Sequence, residues 1–194
     1  MVAIIDYGAG NTKSLQFALE RLGASHILTS DPEIIKQAER VIFPGQGAAG
    51  SAMTKLIDTG LDQLIPTLKQ PLLGICLGMQ LLCKYSEEGG VEGLGIIKGS
   101  VKRFGDTVKV PQMGWNSIHD PKSPLFEGIN EGDYMYLVHS YYVPLCKETV
   151  AISHYNGPYS VALQKANFYG VQFHPEKSSL KGQLLLQNFL KLPA

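Results

Sequence analysis

The feature that most constrains this chain is the run Leu72-Leu73-Gly74-Ile75-Cys76-Leu77-Gly78-Met79-Gln80. An apolar, strand-like stretch leads into Gly-x-Cys-x-Gly, and apolar residues at helical spacing follow. Glycines on both sides of a central residue let a chain pass from strand to helix in one tight turn. The central side chain is then exposed at the turn, facing the backbone N–H groups of the new helix. That is the geometry of a nucleophile elbow with sulfur at its tip, and a helix N-terminus favours the anionic thiolate. Taken alone, the motif also fits a structural cysteine buried in a glycine-rich turn. A partner base decides between the two.

The partner is offered by Val171-Gln172-Phe173-His174-Pro175-Glu176, where a β-prone run ends at a histidine. Pro175 disfavours the helical region at His174, so the backbone is expected to be extended there. Alternation along an extended chain then sets His174 and Glu176 on the same side. A carboxylate in that place fixes the histidine tautomer and leaves the second ring nitrogen to take a thiol proton. The candidate catalytic set is therefore Cys76, His174 and Glu176.

Periodicity places these motifs. It predicts strands over 2–5, 25–28, 41–43 and 71–75, alternating with helices over 12–22, 32–38, 51–56, 61–68 and 77–85. Beyond residue 93 the pattern changes to short β-prone runs at 96–104, 116–118, 134–143, 150–154, 160–165 and 168–173. A closing helix over 181–190 carries Leu184, Leu185, Asn188 and Phe189. No repeat, low-complexity tract or linker separates the halves. The expectation is one α/β domain over residues 1–194, with a mainly parallel sheet flanked by helices and an antiparallel extension.

Composition excludes several classes. A chain of 194 residues with 17 Lys+Arg and 17 Asp+Glu buries about 70% of its extended surface, and its neutrality argues against broad binding to nucleic acid or anionic membrane. Cys76, Cys83 and Cys146 form no CxxC pair, so neither a disulfide framework nor a structural metal is expected, and no cofactor is called for. Cys83 is expected near the same helical face as Cys76, as core; Cys146 is expected to pack or lie in a loop. His26, His119 and His154 read as solvated or structural. The N-terminus lacks a basic flank and cleavage-like site, and no run of 18 apolar residues occurs, so the expectation is a soluble cytoplasmic protein.

The elbow, the His174-Pro175-Glu176 triplet and the loop Pro44-Gly45-Gln46-Gly47 together resemble class I, triad-type glutamine amidotransferases. Within them, Asp6-Tyr7-Gly8-Ala9-Gly10-Asn11, Glu87-Glu88-Gly89-Gly90, Pro111-Gln112-Met113-Gly114-Trp115-Asn116, Val138-His139-Ser140-Tyr141 and Pro175-Glu176-Lys177-Ser178 look like the glutaminase subunits of imidazole glycerol phosphate synthases of histidine biosynthesis. The resemblance implies that Cys76 attacks the carboxamide of L-glutamine, that His174 shuttles the proton, and that Glu176 orients it. It implies oxyanion donors from the backbone of Leu77 and of Gly45, Gln46 or Gly47, and substrate contacts from Gln80, Glu88, Ser140 and Tyr141. It further implies a (β/α)₈-barrel cyclase partner, faced by Asn11, Met113, Trp115 and Lys177. Ordinary core packing is the other reading of Trp115, the only tryptophan. Two departures from the pattern stand out: Gln46 where many relatives carry Val, and Gln112 in place of a frequent His. A glutaminase serving a different synthase, and an inactive binding module on the same fold, are the competing readings.

Overall fold

Runs such as Val2-Ala3-Ile4-Ile5 are apolar at every position, the pattern of a strand covered on both faces. The computed structural model describes residues 1–8 and 12–193. Its first part alternates strand and helix: β1 (Val2–Ile5), α1 (Thr12–Arg21), β2 (His26–Thr29), α2 (Pro32–Gln37), β3 (Arg40–Phe43), α3 (Ala49–Asp58), α4 (Leu61–Leu64), β4 (Leu72–Ile75) and α5 (Leu77–Leu81). Then come β5 (Cys83–Ser86), β6 (Val91–Glu92), β7 (Ile97–Arg103), β8 (Gln112–Ser117), β9 (Tyr134–His139), β10 (Tyr141–Tyr142), β11 (Thr149–His154), β12 (Pro158–Lys165), β13 (Phe168–Val171) and α6 (Ser179–Lys191).

The main sheet has seven strands in the order β11-β12-β13-β4-β3-β1-β2. Its five strands from β13 to β2 run parallel, and β12 and β11 are added antiparallel. The expected mixed α/β architecture with an antiparallel extension is therefore present. Alternation divides the strand residues between two cores. Val2, Ile4, Ile42, Leu73 and Ile75 pack with Leu15 and Leu19 of α1 and with Leu185 and Phe189 of α6. Ala3, Ile5, Val41, Phe43 and Leu72 pack with Ile35 of α2 and with Ala52 and Leu56 of α3.

The helix expected over 77–85 stops at Leu81, and Cys83–Ser86 is instead a strand in a four-stranded sheet of order β10-β7-β5-β6. A distant segment takes the carbonyls a longer helix would have used. Leu94 N–H bonds Leu81 O, Ile97 N–H bonds Leu82 O, Gly95 N–H bonds Cys83 O and Gly93 N–H bonds Lys84 O. Cys83 thus lies on β5 rather than on the elbow helix, although it is fully buried as expected. The run 134–143 is likewise broken at Ser140: β9 joins β8 in a two-stranded ribbon, while β10 pairs with β7. Among the described residues no helix is long and apolar enough to cross a membrane.

Candidate active site

Strands β13, β4 and β3 are neighbours and parallel, so their carboxyl ends release three segments side by side, where open α/β sheets bind ligands. Those segments are Gln172–His174, Cys76 and Pro44–Gly47. Cys76 sits at φ 54° and ψ −113°, a conformation that ordinary residues avoid, at a cost on the order of 1–3 kcal/mol. Two glycines make the turn possible by close approach. A Cβ on Gly78 would lie 1.9 Å from Phe43 O, and one on Gly45 would lie 2.4 Å from Gly78 N. The segment leaving β3 therefore crosses directly against the elbow, backbone on backbone.

His174 is extended, at φ −97° and ψ 96°, as Pro175 dictates. The chain then departs from the expected alternation. Pro175–Lys177 forms a 3₁₀ turn, and it is this turn that brings Glu176 Oε1 to 2.8 Å from His174 Nδ1. The two side chains are 11% and 6% exposed. Burial pulls the His174 pKa down, but hydrogen bonds and charge from Cys76 and Glu176 outweigh it and raise the pKa from 6.5 to about 10. The shift favours the imidazolium form, with Glu176 on one side of the ring and Cys76 on the other.

A cleft of about 280 Å³ opens beside this group. Cys76, His174, Leu77, Gln46 and Gly47 line it, and so do Gln80, Glu88, Ser140 and Tyr141. The residues expected to hold substrate are thus brought together with the candidate nucleophile; Gly45 packs behind, on α5. Two of them also carry structural bonds. Gln80 Nε2 donates to Tyr141 O at 3.0 Å and to Gln172 Oε1 at 2.8 Å. Glu88 Oε2 accepts from Ala49 N at 2.9 Å and so caps α3, whose own Ala48 has no side chain able to do so.

Three residues of this site escaped sequence reasoning. Tyr7, buried, donates from its hydroxyl to Pro44 O at 2.9 Å at the start of the Gly45–Gly47 loop. His139, also buried, lines the cleft, with Nδ1 at 2.7 Å from Tyr141 O. Desolvation lowers its pKa to about 4, helped by the His174 charge and opposed by the Tyr141 carbonyl. Gln172 is fully buried, and its Nε2 lies 3.7 Å from Cys76 Sγ. A polar residue inside the apolar run 171–173 was the available signal for it.

Of the expected partner-facing residues, Met113 is 67% and Trp115 52% exposed on β8, with the Trp115 ring edge-on to Tyr136 at 6.1 Å. Trp115 is not core. Lys177 is exposed at the cleft mouth, and Asn11 lies outside the described residues. Gln112 points inward and accepts from Tyr159 OH at 3.1 Å. His119 is held between Ser117 Oγ and Glu131 Oε1, at 2.9 and 2.8 Å, which suits a structural histidine. Among the described residues no cluster of His, Cys, Asp and Glu is placed to hold a metal ion.

Comparison with known proteins bears on this geometry. The chain is 53% identical to imidazole glycerol phosphate synthase subunit HisH of Bacteroides thetaiotaomicron, over 98% of this chain and 99% of that one. It is 48% identical to the subunit of the same name from Haemophilus influenzae, over 98% and 96%. Among solved structures, a glutamine amidotransferase superposes with a TM-score of 0.77 at 18% identity, covering 98% of both chains. PurLQS from Thermotoga maritima superposes at 0.67 and 17%, covering 97% and 96%. Residues 3–192 match the family described as glutamine amidotransferase class-I, and the chain belongs to that family of enzymes.

Proposed function

We propose that this chain, read as one glutamine amidotransferase domain, is the glutaminase subunit of an imidazole glycerol phosphate synthase in histidine biosynthesis. It hydrolyses L-glutamine to L-glutamate and ammonia and passes the ammonia to a (β/α)₈-barrel cyclase subunit that makes imidazole glycerol phosphate and AICAR. The observation that carries the chemistry is the bonded series Cys76, His174, Glu176 at the edge of a cleft wide enough for an amino acid. The 53% identity to a synthase subunit over essentially both whole chains supports the choice of pathway.

The Cys76 thiolate adds to the side-chain carbonyl carbon of glutamine, and the negative charge moves to its oxygen. Leu77 is the first residue of α5, so its N–H has no acceptor within the helix and is free to stabilise that oxyanion. The second donor comes from the backbone of the Gly45–Gly47 loop. The His174 imidazolium then protonates the departing nitrogen, and the C–N bond breaks to release ammonia and leave a glutamyl thioester. Neutral His174 next takes a proton from water. The resulting hydroxide adds to the thioester, glutamate leaves, and the thiolate returns. Glu176 holds the ring and its charge throughout.

Ammonia protonated in bulk water is lost as a nucleophile, so the cleft mouth has to be covered by its consumer. Met113 and Trp115 form an exposed apolar pair on the ribbon bordering the cleft, and Lys177 sits at the mouth, which suits a docked partner. The test is glutamine turnover by the chain alone and with the cyclase and its ribonucleotide ligand. Turnover is expected to be weak alone and to rise greatly in the complex. Equal turnover in both conditions overturns the pairing, and copurification with another synthase redirects it.

A further inference from the structure

Beyond the triad, the hydrogen bonds around Cys76 have a direction, and it points at the sulfur. Gln172 is the first residue after β13; its backbone N–H is bonded to Val161 O at 2.9 Å and its side chain is fully buried. A buried amide has to satisfy one acceptor and two hydrogens. Its orientation here follows from a fixed starting point. Tyr141 O is a backbone carbonyl and can only accept, and it takes His139 Nδ1 at 2.7 Å and Gln80 Nε2 at 3.0 Å. Gln80 must therefore present its NH₂ end, which also reaches Gln172 Oε1 at 2.8 Å. With its oxygen committed, Gln172 turns its own NH₂ toward Cys76 Sγ, 3.7 Å away, a span that the larger radius of sulfur accommodates.

We propose that Gln172 is a catalytic residue of the glutaminase reaction, its amide donating a hydrogen bond to the Cys76 thiolate and held in that orientation by Gln80. The inference deepens the proposed function and rests on Cys76 being the nucleophile. Val138 O, 3.9 Å from the sulfur, is an acceptor and favours the protonated thiol. Two donors oppose it, the His174 imidazolium and the Gln172 amide. They differ in one respect: His174 gives its proton to the departing nitrogen, whereas Gln172 keeps its hydrogens through the whole cycle. When hydrolysis of the thioester expels sulfur as a thiolate, the amide is still there to receive it. Gln80, expected from the resemblance to contact substrate, thereby gains a second task as a positioning residue.

The experiment is the pH dependence of Cys76 alkylation by iodoacetamide in the full chain, followed on the Cys76 peptide by mass spectrometry so that Cys83 and Cys146 do not interfere. Gln172→Met keeps the volume and removes the donor. Its alkylation midpoint is expected to move up by about one pH unit, the size of one hydrogen bond to a charged group, with kcat for glutamine about tenfold lower and KM within about twofold. Gln172→Glu puts a carboxylate against the sulfur and moves the midpoint further in the same direction. Gln80→Ala releases the Gln172 amide and gives a smaller upward shift. That shift is independent of glutamine binding, because the probe lacks the amino-acid end, and it keeps the proposal testable should Gln172→Met fold poorly. A reactive Cys76 whose profile is the same in wild type and all three variants overturns the role of Gln172 alone. A wild-type Cys76 that resists the probe at every pH overturns the nucleophile assignment and this inference with it.

Discussion

The cleft has two walls, and each carries a buried histidine in an opposite state. On the wall made by the ends of β13, β4 and β3, His174 has a carboxylate and a thiol as neighbours, and its pKa rises to about 10. On the wall made by β9 and β10, His139 has a carbonyl, the Tyr159 hydroxyl and the His174 charge around it, and its pKa falls to about 4. Burial acts in the same direction on both. What separates them is whether groups able to carry negative charge stand beside the ring, which Cys76 and then Glu176, at 2.8 Å, provide for His174 alone. One wall is thus equipped to hold and deliver a proton, the other to stay neutral and present fixed hydrogen bonds.

The walls also differ in how they are built, and the largest expected effect tests that. The sheet-end wall depends on backbone against backbone, since a Cβ at Gly78 would stand 1.9 Å from Phe43 O. Gly78→Ala therefore requires β3 or the elbow to move, and a loss of about 4 kcal/mol or more is expected, seen as a collapsed urea midpoint. On the ribbon, Gly114 at φ +133° has nothing within 4 Å of its added Cβ. Gly114→Ala carries backbone strain only, for a loss of about 1–3 kcal/mol. Equal losses at the two sites would remove the distinction between the walls.

The next effect is on chemistry. Glu176→Gln keeps an oxygen near His174 Nδ1 and removes its charge, which brings the His174 surroundings closer to those of His139. Without that anion the His174 pKa falls, so the alkaline limb of kcat/KM, expected in the wild type near pH 10 where the imidazolium is lost, moves to lower pH. The maximal rate is expected to drop by about four powers of ten, as when a triad loses its orienting carboxylate. Steady-state rates from pH 6 to 11 check both; an unmoved limb would show that Cys76 alone sustains the raised value.

How much of this could be read in advance differs between the walls for the same reason. The sheet-end wall is local in sequence: Gly74 to Gly78 and His174 to Glu176 are short motifs whose backbone needs are written in their glycines and proline. Even there Glu176 reaches His174 through a 3₁₀ turn rather than by strand alternation, so the contact was legible and its route was not. The ribbon wall is assembled from distant pieces. The end of α5 was misread because the carbonyls of Leu81, Leu82, Cys83 and Lys84 are claimed by residues 93–97, a competition no local pattern encodes. His139 and Gln172 were missed because a buried polar side chain declares its role only once its partners are known.

The smallest effect at neutral pH belongs to His139, and it separates the two histidines by sign. In the folded chain His139 stays neutral down to about pH 4, whereas in the unfolded chain it takes up a proton near its ordinary 6.5. Between those values the unfolded state binds more protons, so stability falls as pH falls, by about 3 kcal/mol over the window. His174 behaves in the opposite way: its contribution is complete below pH 6.5 and is lost as pH rises through about 10. His139→Gln has no titrating group to bury. Its urea-derived stability is therefore expected to lie slightly below wild type at pH 7.5, from lost packing, and to gain on wild type steadily between pH 6.5 and 4. Parallel curves through that window would mean that His139 is already protonated in the folded cleft. Its Nε2 would then be a donor beside Tyr159, and the ribbon wall would carry charge as the sheet-end wall does.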